Sequence, residues 1–185
     1  MKFKSGLLVF FFFVFSFSIA QSKKITAKNG VWSFSQFTDN IIKVNFQPTG
    51  YKTNENISDA VIAKPSPKKN IPAIIENDVV YLGKNKKVKI TGMLTGNEYK
   101  GFDISLEDGE KIFGGGERAL PLNRRGYKFN LYNNPWYGYG EGADNLNYSV
   151  PFFTSSMGYG LFFDNPSKGY ADIGKPITKF LKQVL

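Results

Sequence analysis

Apolar and polar positions alternate in short runs along most of this chain, and the runs are separated by Gly, Asn, Asp and Pro. Ile25-Thr26 and Val31 to Phe34 flank Asn29-Gly30, a dipeptide whose tolerance of positive φ suits a tight hairpin. Ile41 to Phe46 reads as a strand ending at Pro48, and the polar, turn-rich stretch from Thr49 to Asn70 reads as a loop. Ile74 to Leu82 and Lys86 to Ile90 follow as strands. Phe102, Ile104 and Leu106 then alternate with polar residues, turn at Asp108-Gly109 and return through Lys111 to Phe113, the pattern of a hairpin. Further strands are predicted at Tyr127 to Leu131, Ser149 to Thr154 and Gly160 to Phe163. Many short strands with no helical period before residue 175 predict an all-β, antiparallel β-sandwich.

Both ends of the chain break this pattern. Lys2 and Lys4 precede an uncharged, phenylalanine-rich run from Ser5 to Ile19, and Ser18 and Ala20 place small residues three and one before Gln21. This is the pattern of a secretory signal peptide over residues 1–20, cleaved before Gln21. The apolar run is shorter than the roughly 20 residues of a spanning helix, so no stable membrane span is expected once it is removed. Export to the periplasm or beyond fits a chain without cysteine. At the other end Ile177, Phe180, Leu181, Val184 and Leu185 follow Pro176 at helical spacing. An isolated helix of that length is marginal in water. Residues 175–185 are therefore read as an atypical tail and the chain as a truncated product. The sandwich of residues 21–174 is expected to be incomplete at its C-terminus, and loss of the tail is expected to leave stability unchanged.

Composition narrows the chemistry. The formal net charge is +9, and +7 once Lys2 and Lys4 leave with the leader. Most lysines are scattered from Lys23 to Lys100 without interleaved aromatics, so a solvated basic surface fits better than a nucleic-acid site. With neither His nor Cys, Ser-His and Cys-His nucleophile pairs and the usual zinc sites cannot be built, and no metal or cofactor is expected. Glycoside cleavage needs two facing carboxyl groups. Asp103, Glu107, Asp108 and Glu110 are clustered, but they straddle the predicted hairpin turn and are read as solvated.

Residues 113–166 differ from the rest. All three arginines, Arg118, Arg124 and Arg125, fall here, with six aromatic residues from Tyr127 to Tyr139. A planar guanidinium fork used only in this region points to defined carboxylate or carbonyl partners. Gly114-Gly115-Gly116 lacks the Gly-Lys-Ser/Thr and the helix of a phosphate loop, and reads as a bend or a close approach between strands. Glu117 beside Arg118 and near Arg124 and Arg125 reads as one side of a structural ion pair. Trp136, Tyr137 and Tyr139 on a glycine-punctuated loop suit the apolar faces of sugars, and Asn133 and Asn134 supply amides for hydroxyls.

Five blocks in order, Gly114 to Arg118, Asn123 to Tyr127, Leu131 to Tyr139, Pro151 to Phe153 and Gly158 to Pro166, resemble the N-terminal domain of glycoside hydrolase family 31, the α-glucosidases and α-transglucosidases. The structural motif of the resemblance includes Gly116, Glu117, Arg118, Arg124 and Arg125. It implies a galactose mutarotase-like β-sandwich that precedes a (β/α)₈ barrel carrying both catalytic aspartates, and retaining chemistry on an α-glucan or oligosaccharide in the full-length relative. The barrel's W-x-D-M-type strand has no counterpart here, because Trp32 is followed by Ser33 and Trp136 by Tyr137. No catalytic residue is therefore assigned, and inactivity alone is expected. In the family a loop from this region helps to shape the sugar subsites, and many members carry an aspartate where this chain has Asn133, Asn134 and Pro135. Three roles stay open: a sugar-contacting accessory loop, a stand-alone carbohydrate-binding module, or a surface that only packs on a barrel.

Overall fold

The computed structural model describes residues 22–52, 58–62, 64, 72–77, 79–83, 85–95, 100–134, 137–143, 148–165, 167–174 and 180–184. The predicted leader at residues 1–20, Trp136 and residues 175–179 of the tail lie outside the described residues. Among those described, every regular element is a strand, and all pairings are antiparallel.

The strands are β1 (Lys23–Ala27), β2 (Gly30–Thr38), β3 (Ile41–Pro48), β4 (Ala73–Glu76), β5 (Val79–Leu82), β6 (Val88–Thr95), β7 (Lys100–Ser105), β8 (Ile112–Gly116), β9 (Lys128–Leu131), β10 (Ser149–Ser155), β11 (Tyr159–Phe162), β12 (Gly169–Ile173) and β13 (Phe180–Val184). They form three sheets, ordered β1-β2-β3, β11-β10-β8 and β4-β5-β6-β7-β13-β12-β9. All three feed one core. Trp32, Phe34 and Phe46 come from the first sheet, Ile112 and Phe153 from the second, and Val80, Ile90, Ile104, Phe129, Ala171 and Ile173 from the seven-stranded third. Alternation puts them there: on β2 the buried Trp32 and Phe34 alternate with the partly exposed Ser33 and Ser35. Ring contacts cross between layers, Trp32 to Phe102 at 6.2 Å and Phe129 to Phe153 at 6.2 Å.

Four local expectations need correction. The first hairpin turns at Lys28-Asn29, with Gly30 already paired to Ala27; a Cβ at Gly30 would stand 2.2 Å from the Gln47 carbonyl oxygen, so the glycine serves close approach. Ile74 to Leu82 is two strands, because Asn77 adopts φ 49° and reverses the chain into a β4–β5 hairpin. The turn at Asp108-Gly109 exists, with Gly109 at φ 74°, yet its arms do not pair with each other. Strand β7 joins β6 and β13, whereas β8 joins β10 in another sheet, so the connection is an arch across the sandwich. Alternation looks the same in a hairpin and an arch, which is why pattern alone misreads it.

The fourth correction is the tail. Phe180–Val184 is a strand inserted between β7 and β12, from Phe180↔Ser105 to Val184↔Gly101 on one side and from Ile173↔Leu181 to Tyr170↔Val184 on the other. Position 181 is level with Ile104 and Ile173, both buried, while position 182 is level with Asp103 and Asp172. The sequence Phe-Leu-Lys-Gln-Val supports strand and helix periods almost equally over five residues; two waiting strand edges decide the outcome.

Candidate functional site

Glu110 and Arg125 lie near the Ile112–Ser155 end of the β8–β10 pair and Arg118 near its Gly116–Ser149 end, and the three glycines make the approach of the strands possible. Gly114, Gly115 and Gly116 have φ of 109°, 81° and 87°, a region glycine alone enters freely. A Cβ at Gly114 or Gly116 would lie 2.3 Å from the carbonyl oxygen of Phe152 or Tyr148, and one at Gly115 would lie 2.7 Å from the Phe129 ring. The expectation of a close strand approach therefore holds.

The arginines bond mainly to backbone carbonyls. Arg124 is buried; its Nη1 donates to Leu120 O and Pro121 O, both at 2.8 Å, and its Nε donates to Gly114 O at 3.1 Å. Burial lowers its guanidinium below the ordinary arginine value. Arg125 Nη1 donates to Glu107 O (2.8 Å) and Glu110 O (2.7 Å), clamping the arch. Arg118, also buried, donates from Nη1 to Glu117 O (2.7 Å) and from Nη2 to Asn130 O (2.7 Å) and Ser149 Oγ (2.7 Å), with its guanidinium 4.9 Å from the Phe129 ring centre. The ion pair expected of Glu117 is replaced by this arrangement: Glu117 is exposed, and it meets Arg118 through its backbone carbonyl.

Of the clustered acids, Glu107 and Asp108 are exposed as expected, but Glu110 is 1% exposed, which overturns its reading as solvated. Its carboxylate accepts from the Glu107 N–H at 2.7 Å, from Ser155 Oγ–H and from Tyr159 O–H at 2.5 Å. A buried carboxylate needs such donors. They join the arch to the end of β10 and the start of β11. The Tyr159 hydroxyl is held well above the ordinary tyrosine range, chiefly by burial and then by its bond to Glu110. The folded state thus keeps a proton that the unfolded chain releases near pH 10, so stability from this group is intact below about pH 10 and falls above it. Tyr159→Phe is expected to flatten that alkaline decline in a pH series of denaturant melts; an unchanged slope would contradict the coupling.

The aromatic connection from β9 to β10 lies at the surface. Tyr137 is 89% exposed and Tyr139 52%, with Tyr132 and Tyr148 also exposed. Asn134 is exposed as well. Asn133 has a structural duty, its Oδ1 accepting the Ser149 N–H at 2.6 Å, which sequence reasoning did not foresee. Lys168 stands 4.9 Å from the Tyr132 ring centre. Among the described residues no cluster of His, Cys, Asp and Glu could hold a metal ion.

Three sheets around one aromatic core, with an exposed tyrosine loop at one meeting of strands, define a galactose mutarotase-like β-sandwich. Residues 89–172 match the glycosyl hydrolase 31 N-terminal galactose mutarotase-like domain. An α-xylosidase of Emericella nidulans is 37% identical over 67 residues, 36% of this chain and 8% of that protein. An α-glucosidase of Saccharolobus solfataricus is 29% identical over 124 residues, 65% of this chain and 18% of that protein. Among solved structures, a family 31 dextranase of Flavobacterium johnsoniae, complexed with isomaltotriose, superposes with a TM-score of 0.70 at 23% identity, covering 89% of this chain and 24% of that one. That likeness shows the shared fold. The chain spans under a fifth of the length of the curated relatives it matches.

Proposed function

We propose that this chain is the N-terminal accessory domain of an exported family 31 glycosidase acting in carbohydrate metabolism, and that its β9–β10 connection forms part of the surface for an α-glucan or oligosaccharide. The observation that carries the reading is the exposure of Tyr137 and Tyr139 on a loop whose base is firmly built, in a domain of this family. Exposed flat rings are costly to leave in water and suit the apolar faces of sugars. The relatives named for α-glucosidase, α-xylosidase and dextranase activity support the substrate class. The leader pattern of residues 1–20 supports export.

Neither Glu107 nor Glu110 of the clustered turn is free to act on a glycosidic bond: Glu110 is used by its donors, and Glu107 is tied to Lys89 at 2.5 Å. The purified chain is expected to leave an activated α-glucoside unhydrolysed and to bind isomaltotriose weakly, in the millimolar range that a partial site supports. Binding followed by NMR shift titration is expected to disappear in Tyr137→Ala/Tyr139→Ala. Hydrolysis that survives repurification, or equal binding by the double variant, would sink the reading. Micromolar binding by the isolated chain would favour a stand-alone carbohydrate-binding module.

A further inference from the structure

We propose that Glu117–Ala119, centred on the Arg118 guanidinium, is the device that holds the aromatic β9–β10 connection in position, which makes Arg118 its positioning residue. The connection is described at residues 132–134, 137–143 and 148; this short segment bonds directly to Gly142 and Tyr148 and reaches Tyr132 and Asn133 through Ser149. At the β9 end Arg118 Nη2 donates to Asn130 O, and at the β10 end the same nitrogen donates to Ser149 Oγ, each at 2.7 Å. Ser149 Oγ lies 3.3 Å from Tyr132 O, its acceptor, and the Ser149 N–H donates to Asn133 Oδ1. The Glu117 N–H donates to Tyr148 O at 2.9 Å, and Ala119 O accepts the Gly142 N–H at 2.8 Å from the middle of the connection.

Three physical features make Arg118 the centre of this arrangement. It is buried at 8% exposure, so its bonds compete little with water. Its fork is planar and reaches Glu117 O, Asn130 O and Ser149 Oγ together, which a single ammonium on a flexible stem cannot do. Its guanidinium lies against the Phe129 ring, and Phe129 is core, so the clamp is referenced to the rigid sandwich. Loops that carry binding groups work when rigid elements fix their base. The inference rests on the sugar-surface reading only for what the connection is positioned to do.

The test is residue-resolved amide hydrogen exchange on the full chain, read at Gly142 and Ser149 and compared with Trp32 and Phe34 in β2. Arg118→Met is expected to speed exchange at Gly142 and Ser149 at least tenfold while β2 amides stay within twofold. Arg118→Lys is expected to behave like Arg118→Met. Unchanged exchange at Gly142 and Ser149, an equal rise in β2, or full rescue by lysine would overturn the proposal. If Arg118→Met does not fold, Ser149→Ala removes one arm alone and is expected to give a smaller rise at Gly142; no rise would overturn it. Exchange does not depend on sugar, so the two readings fail separately. Loss of clamping with intact isomaltotriose binding would refute positioning alone, and clamping as expected with binding unaffected by Tyr137→Ala/Tyr139→Ala would refute the sugar surface alone.

Discussion

A chain ending at Gly174 is expected to lose its cooperative melt and elute as aggregate in size-exclusion chromatography, because residues 180–184 fill an interior place in the largest sheet. Removing β13 strips partners from β7 along Gly101 to Ser105 and from β12 along Tyr170 to Ile173. These segments include the buried Ile104, Ala171 and Ile173. Each buried backbone group left unpaired costs on the order of 1–3 kcal/mol, against about 5–15 kcal/mol for a whole domain. The ladders on both sides exceed that margin after only a few such losses. The freed edges would also be templates for pairing with other chains. A truncated protein that stays monomeric and melts at the full-length temperature would show that β13 contributes nothing. That result is the one expected from reading the tail as a dispensable amphipathic helix, so the two accounts differ in outcome.

The contrast shows what was legible in the sequence. The β1–β2 hairpin and the β3 strand could be read, with the turn one residue out of place, because alternating runs and a short turn constrain one another locally. The all-β class and the glycine contacts at 114–116 could be read as well, since both follow from residue type. The arch at Asp108-Gly109 and the insertion of Phe180–Val184 could not, because each is decided by partners tens of residues away. The same holds within the candidate site. The exposure of Tyr137 and Tyr139 follows from a glycine-rich loop, and the arginine fork announces fixed partners. That those partners are carbonyls, and that Asn133 braces Ser149, depends on the meeting of β8, β9 and β10. Local propensity is a weak prior wherever tertiary pairing is available.

Glu110 is the site where local and tertiary readings diverge most in energy. By sequence it is one of several acids around a turn; in the fold it is a buried acceptor serving three donors from the arch, β10 and β11. Glu110→Leu would leave the Glu107 N–H, the Ser155 hydroxyl and the Tyr159 hydroxyl without their acceptor, at about 1–3 kcal/mol for each one that stays desolvated. The expected loss is on the order of 3–5 kcal/mol, in the range reserved for broken buried networks. Glu110→Gln is expected to fall between wild type and Glu110→Leu. One amide oxygen can still serve Ser155 and Tyr159, but the amide nitrogen then faces the Glu107 N–H, a donor against a donor. Glu107→Ala is the control. It removes the exposed pair with Lys89, and such pairs contribute only about 0–1 kcal/mol. Denaturant melts of the three variants should therefore rank Glu110→Leu as most destabilised, Glu110→Gln next, and Glu107→Ala close to wild type. Equal, small effects at positions 107 and 110 would mean that both acids are solvated and that the buried carboxylate is not what fastens the arch to the second sheet.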